Sequence, residues 1–234
     1  MDRRWLLDTV TELAGRAHAR RRYTPPPGRV YVNLGAGSNV APGWVNIDGN
    51  LSALVANWPG PLIDLAWRFS SGRRWLTRGD YRQLLQGNLF IHHDLRNGIP
   101  LPDRSADVVY SAHFFEHVYR ETAELLFRES LRVLKPGGLL RINVPDLAVP
   151  MQAFQEGRTE EALEFFFPWS PADEDKGYGR HRYLYDFELL AAVLEETGFV
   201  VVTRCAKQQG QAPDLEQLEN RSPAGLYVEA ERPS

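Results

Sequence analysis

Seven short apolar runs, each bounded by glycine, proline or aspartate, constrain the fold of this 234-residue chain more than any other feature. They read V-Y-V-N-L (residues 30–34), W-V-N-I-D (44–48), L-F-I-H-H-D (89–94), D-V-V-Y-S (107–111), L-L-R-I-N-V (139–144), F-V-V-V-T-R-C (199–205) and L-Y-V-E-A (226–230). Runs of this length and punctuation predict strands. Between them, residues 120–133 bring Ala123, Leu126, Phe127 and Leu131 to one face at helical spacing, and residues 187–197 repeat Leu190, Val193 and Leu194 before Gly198. Strands alternating with helices predict an α/β fold around a mostly parallel sheet.

Residues 1–28 follow a different pattern. Trp5, Leu6, Thr9, Val10 and Leu13 fall at helical spacing, Arg20-Arg21-Arg22 follows, and Pro25-Pro26-Pro27 stops the run. The pattern predicts a helix on a stiff linker, covering one edge of the core and available for homo-oligomer formation, ahead of a main domain over residues 29–234. Two stretches fall outside the alternation: an insertion at 51–88, and a segment at 147–183 rich in proline, glycine and charge. Connections this long usually carry function or move, and the second is expected to close over a substrate as a lid.

Composition narrows the partners. A net charge of -3 supplies no basic field, and the arginines after the first helix have no stacking aromatics among them, so nucleic acid is not expected. Charges in the first turns interrupt any signal-peptide core, and no apolar run approaches the roughly 18 residues that a span needs, so no membrane insertion and a cytoplasmic location are expected. Cys205 is the only cysteine, which excludes an internal disulfide and a multi-cysteine zinc site.

The first run leads directly into Gly35-Ala36-Gly37-Ser38-Asn39. In an open parallel sheet ligands bind outside the carboxyl ends of the strands, and glycine there lets a ligand approach the backbone. The second run ends at Asp48, whose carboxylate can accept hydrogen bonds from both hydroxyls of a ribose. A dinucleotide loop would carry a third glycine where this chain has Val40, which disfavours a nicotinamide cofactor.

These pieces resemble the class I S-adenosylmethionine-dependent methyltransferases, in particular the branch with a type 11 methyltransferase domain. The resemblance covers residues 30–230. It rests on V-N-L-G-A-G-S-N followed by G-W-V-N-I-D, on I-P-L-P-D-R-S-A-D-V-V-Y-S-A-H-F-F-E-H-V, on L-R-V-L-K-P-G-G-L-L-R-I-N-V-P-D, on H-R-Y-L-Y-D-F-E-L-L with E-E-T-G-F, and on R-S-P-A-G-L-Y-V-E-A. It implies a Rossmann-like sheet of seven strands with an antiparallel last strand, helices on both faces, S-adenosylmethionine as cofactor and S-adenosylhomocysteine as product. Gly35, Ala36, Gly37 and Asn39 would face the methionine portion, Asp48 the ribose, and Asp94 and Leu95 the adenine. Ser111, Ala112 and His113 would lie between cofactor and acceptor. This chain has Asn39 where the family usually has a third glycine, and ten residues between Gly37 and Asp48, which shortens or removes the first crossover helix.

Methyl transfer needs an aligned acceptor and, for a hydroxyl, a proton acceptor. His181, His113 and Tyr178 are the catalytic candidates, with His117 and Tyr183 beside them; the position of His181 in the lid-like segment favours it. The acceptor is expected to be a small molecule, a sugar, natural product or envelope precursor, methylated on oxygen or nitrogen. Two other readings stay open. One is a non-catalytic, cofactor-binding partner subunit of the same fold. The other is a zinc hydrolase, because H-F-F-E-H (113–117) fits H-x-x-E-H. That motif needs both histidines in one helix, while His113 directly follows a strand, so no metal ligand is assigned.

Overall fold

The computed structural model describes residues 3–167, 180–220 and 225–234. Among these the chain forms α1 (Arg3–His18), β1 (Tyr31–Leu34), β2 (Val45–Asp48), α2 (Leu51–Val55), α3 (Gly60–Trp67), α4 (Arg78–Gln86), β3 (Leu89–His92) and β4 (Ala106–Ala112). There follow α5 (Arg120–Val133), β5 (Leu134–Pro145), α6 (Ala148–Gln155), α7 (Thr159–Phe166), α8 (Phe187–Thr197), β6 (Val200–Cys205), α9 (Leu215–Leu218) and β7 (Gly225–Glu231). The strands form one sheet in the order β3-β2-β1-β4-β5-β7-β6, with β7 antiparallel to both neighbours and the other pairs parallel. All seven expected strands are present, and the lone antiparallel strand is the last one.

Strand periodicity sorts the core. Val32, Leu34, Val45, Ile47, Val109, Leu140, Ile142, Leu226 and Val228 face one side, where α5 brings Ala123, Leu126 and Phe127 and α8 brings Leu190 and Leu194. The opposite side carries Asn33, Asn46, Arg141, Asn143 and Glu229, all buried. It is covered partly by Trp44, Tyr110, Leu215 and Leu218 and partly by a helical cluster of Val55, Ile63, Tyr81, Leu85 and Phe90.

That cluster corrects the view of residues 51–88 as standing outside the alternation. They are the β2–β3 crossover, built from α2, α3, a 3-10 turn at Ser71–Arg74, and α4. The punctuation is local: Asn50 caps α2 by accepting from the Ala53 N–H at 2.9 Å, and Thr77 caps α4 by accepting from Asp80. Between β1 and β2, by contrast, no helix forms, as ten residues allow.

The segment at 147–183 begins as two helices, α6 and α7. Residues 168–179, Tyr178 among them, lie outside the described residues. The returning segment, residues 180–186, is tied down: Leu147 N–H donates to Tyr185 O at 2.9 Å, and Arg182 N–H to Glu116 O at 2.6 Å. No helix among the described residues is long and apolar enough to cross a membrane.

Candidate active site

Strand order reverses between β1 and β4, and in open α/β sheets the crevice outside the carboxyl ends at such a point is where ligands bind. β1 delivers the glycine loop there, β2 delivers Asp48, and β4 delivers Ser111, Ala112 and His113.

In the loop, Gly35 (φ 63°) and Gly37 (φ 54°) both hold the left-handed backbone that disfavours a Cβ. They need glycine for different neighbours. A Cβ on Gly35 would overlap the Phe114 side chain, whereas the space where Gly37 would carry one is open. Gly35 therefore lets the protein close on itself, and Gly37 leaves bare backbone toward whatever enters the crevice. Ala36 is buried, and its carbonyl accepts from Asn39 N–H at 2.9 Å to close the turn.

Asp48 binds this loop to its own strand end. One carboxylate oxygen accepts from Gly37 N–H at 2.8 Å and the other from Asn50 N–H at 2.8 Å. Burial pushes the carboxyl pKa up, against the opposing pull of the Gly37, Asn50 and Gly49 N–H groups. A carboxylate offers about four lone-pair sites, so acceptor capacity remains beside these N–H groups for a ribose hydroxyl. The residues present thus fit an adenosine-bearing cofactor: an acid with spare acceptor capacity stands beside an open glycine.

The other cofactor candidates divide. Asp94 caps the 3-10 turn Leu95–Asn97 and pairs with Arg96 at 2.7 Å. Burial pushes its pKa up, but the Arg96 bonds outweigh this and hold it below the usual value. Leu95 is buried in the main core, so its side chain serves packing. Asn39 donates its amide to the Leu218 carbonyl, a tie to α9. Ser111 is buried and donates to the Leu34 carbonyl at 3.1 Å, joining β4 to β1. Asp64 is paired with Arg82 across α3 and α4, away from the glycine loop.

Past β4, the chain makes a sharp turn that gathers imidazoles. His113 has φ 50°, uncommon for a histidine, and its N–H donates to Asn143 O at 2.9 Å. Phe115–His117 is a 3-10 turn, not an α-helix, so His113 and His117 do not form the one-turn pair that a zinc peptidase requires. Instead Glu116, 1% exposed, becomes the centre. Its Oε1 stands 3.1 Å from His113 Nδ1 and 3.8 Å from His117 Nε2. His181 arrives from the returning segment, its ring centroid 5.5 Å from that of His117, with Nδ1 3.0 Å from the Phe165 carbonyl. Burial pulls the His181 pKa down, with Glu116 opposing and His117 assisting.

Sequence reading missed two participants. Glu116 was visible only as the acid of a peptidase motif, and nothing in its spacing announced that it would be buried among three histidines. His18 of α1 was also missed: its Nδ1 lies 3.2 Å from His92 O, and a Cβ on Gly15 would stand 3.5 Å from Asp94 Cβ. The N-terminal helix therefore packs beside Asp94, at the carboxyl end of β3.

Residues 74–142 match the model of the methyltransferase domain family. Two curated relatives, each described as a probable S-adenosylmethionine-dependent methyltransferase, come from Mycobacterium tuberculosis strains CDC 1551 / Oshkosh and H37Rv. Each is 29% identical over 133 residues, which is 57% of this chain and 40% of the relative, so the chain spans well under two-thirds of their length. Among solved structures, a SAM dependent methyltransferase from Archaeoglobus fulgidus has 16% identity and a TM-score of 0.49, covering 96% of this chain and 93% of its own. A complex between the Haloferax volcanii Trm112 methyltransferase activator and a methyltransferase has 15% identity and a TM-score of 0.49, covering 100% and 99%. The match over residues 74–142, with the strand order and the glycine loop beside its acid, supports a class I S-adenosylmethionine-dependent methyltransferase domain in this chain.

Proposed function

We propose that this chain transfers the methyl group of S-adenosylmethionine to oxygen or nitrogen of a small-molecule acceptor, of the sugar, natural-product or envelope-precursor type. The observation that carries the reading is the juxtaposition, at the reversal of strand order, of the Gly37–Asp48 cradle with the imidazole cluster after β4. When bound, the cofactor supplies a methyl group already activated on a sulfonium. The protein's task is alignment and handling of the acceptor's proton.

In this reading Asp48 takes the ribose hydroxyls and Gly37 admits the methionine portion. His113, next along the chain from β4, stands nearest the transfer point. Its Nδ1 faces the Glu116 carboxylate, which only accepts, so Nδ1 carries the hydrogen and Nε2 keeps its lone pair. That Nε2 is buried without a partner. An acceptor hydroxyl or ammonium would satisfy it, so His113 is assigned the proton and Glu116 positions it. Residues 147–167 and 180–183 are assigned to cover the acceptor, because Arg182 N–H on Glu116 O ties them to this cluster.

The test is calorimetry with S-adenosylmethionine, followed by release of S-adenosylhomocysteine over a panel of acceptors. One cofactor per chain and turnover on at least one acceptor are expected, and no binding at millimolar cofactor would overturn the reading. His113→Ala should lower turnover and leave cofactor affinity within about twofold. Hydrogen exchange at residues 147–167 and 180–183 should slow with cofactor and acceptor together, and unchanged exchange would remove the covering role.

A further inference from the structure

We propose that Glu116, His117 and His181 form a binding site for one divalent transition-metal ion of the zinc class. The three come from the turn after β4 and from the returning segment, far apart in sequence, yet one ligand atom from each lies within 4.8 Å of the others. The two segments are fastened together by Arg182 N–H on Glu116 O at 2.6 Å and by His117 Nδ1 at 3.2 Å from Arg180 O.

The tautomers are set by those contacts. His117 Nδ1 faces the Arg180 carbonyl and His181 Nδ1 faces the Phe165 carbonyl at 3.0 Å. A carbonyl can only accept, so both Nδ1 atoms carry hydrogen and both Nε2 atoms hold a lone pair. Metal-bound histidines are held in this way, with the non-ligating nitrogen donating to a backbone carbonyl or a carboxylate. Glu116 provides the independent indication. Its side chain is 1% exposed, its Oε1 serves His113 Nδ1, and its Oε2 has no partner. A buried carboxylate oxygen with no donor is costly, and a cation between it and the two Nε2 atoms would satisfy it.

The spacing fits the ion. Zinc–nitrogen and zinc–oxygen bonds of about 2.1 Å in a tetrahedron place ligand atoms about 3.4 Å apart. His117 Nε2 stands 3.8 Å from Glu116 Oε1, too long for a hydrogen bond, and with one ligand atom from each of the three residues within 4.8 Å of the others, a shift of about an ångström closes them on an ion. Two imidazoles and one carboxylate suit zinc, cobalt or iron and not magnesium or calcium, which take oxygen ligands. Three protein ligands leave at least one position for water or for a ligand atom, the composition of a working site and not of a structural one. The H-x-x-E-H run therefore contributes a glutamate and its second histidine, with His181 taking the place that the peptidase motif gives to the first.

The test uses tag-free full-length protein, stripped with chelator and titrated with zinc chloride by calorimetry, then with cobalt chloride by visible absorption. One zinc per chain and d–d bands of four- or five-coordinate cobalt are expected, both insensitive to excess magnesium. His117→Ala and His181→Ala should each weaken zinc by more than the roughly tenfold to hundredfold that loss of an outer hydrogen-bond partner costs, and His113→Ala by about that smaller amount. Glu116→Gln keeps the shape and loses the charge, and should also weaken zinc; melting curves show whether each variant is folded. His18→Ala, which alters the other histidine contact, should leave affinity unchanged. No saturable zinc binding, or one-to-one binding undiminished in folded His117→Ala and His181→Ala, would overturn the site. Because the titrations need neither cofactor nor acceptor, the metal site and the methyl-transfer reading fail separately.

Discussion

Gly35 and Gly37 share a backbone conformation and differ in what surrounds them, so alanine at each should report a different property. Gly35→Ala combines left-handed strain with overlap on Phe114 and should destabilise the fold by about 2–4 kcal/mol. Gly37→Ala meets only the strain, about 1–2 kcal/mol, but fills the open side of the loop, so cofactor affinity should fall more than stability. Thermal unfolding and calorimetry of both variants give the comparison, and equal effects on affinity would mean that Gly37 does not face the cofactor. Asp48→Ala should weaken cofactor binding roughly tenfold to a hundredfold, the value of one charge-assisted acceptor of about 1.5–3 kcal/mol. An unchanged dissociation constant would remove Asp48 from the site. The turn at Gly35 and Gly37 was legible because its left-handed backbone is settled locally, and Asp48 because it ends the next strand, although its bond to Gly37 spans eleven residues. The fates of Asn39, Ser111 and Leu95 were not, since each is settled by a partner or packing outside its own turn: the carbonyl of Leu218, the carbonyl of Leu34 and the main core.

At the scale of elements, the strands announced themselves through apolar runs, and the missing first crossover helix through a bare residue count. The three helices of residues 51–88 were obscured because each is short and several apolar positions, Trp58, Leu62, Leu65 and Trp75, are exposed, which blurs the helical stripe. The helix α1 was expected at an edge of the core, but the contact that fixes it was not legible, since it depends on His18 meeting His92 across 74 residues. His92 Nε2 faces the Gly49 carbonyl at 3.1 Å, so it carries the hydrogen, and Nδ1 is left to accept from His18 at 3.3 Å. Burial pulls the His92 pKa down and His18 adds to the effect, while Gly49 and Asp94 oppose it and His93 assists. The folded pKa is therefore below the unfolded value near 6.5, so the contribution is complete above about pH 6.5 and is lost as pH falls toward the folded pKa. Amide protection in residues 9–18 should drop between about pH 7.5 and pH 5 while that of α5 holds. Flat protection of α1 across that range would show that this pair does not secure the helix.

The molecule as a whole packs one apolar face of its sheet conventionally and buries a polar one. The polar positions of V-N-L, V-N-I and R-I-N-V share one face of the sheet, the segment between β6 and β7 covers part of it, and a fully buried ion pair fastens that cover. Arg141 on β5 reaches Glu219 at 2.7 Å with both side chains fully buried, and Glu229 on β7 at 3.5 Å. The guanidinium also donates to the carbonyls of Gln209 at 2.9 Å and Ala206 at 3.2 Å. One side chain on the central sheet thereby organises the connection that carries α9, whose Leu218 carbonyl also takes Asn39 and Tyr110, the latter at 2.9 Å. Replacing Arg141 with methionine keeps the volume and strands the Glu219 carboxylate, a loss of about 3–5 kcal/mol for a buried charge without its partner. For a chain of this length that corresponds to a melting temperature lower by roughly 6–20 °C. Glu229 is less exposed to the loss, because the Gln211 and Ala212 N–H groups each donate to it at 3.0 Å. The double variant Arg141→Met with Glu219→Met removes both charges and should recover most of the stability, since an apolar pair of similar volume can replace a buried ion pair at little cost. If the single variant melts like the unmodified chain, the pair does not hold the β6–β7 connection. If the double variant is as unstable as the single one, the carbonyl contacts of Arg141, and not its charge pairing, secure this face.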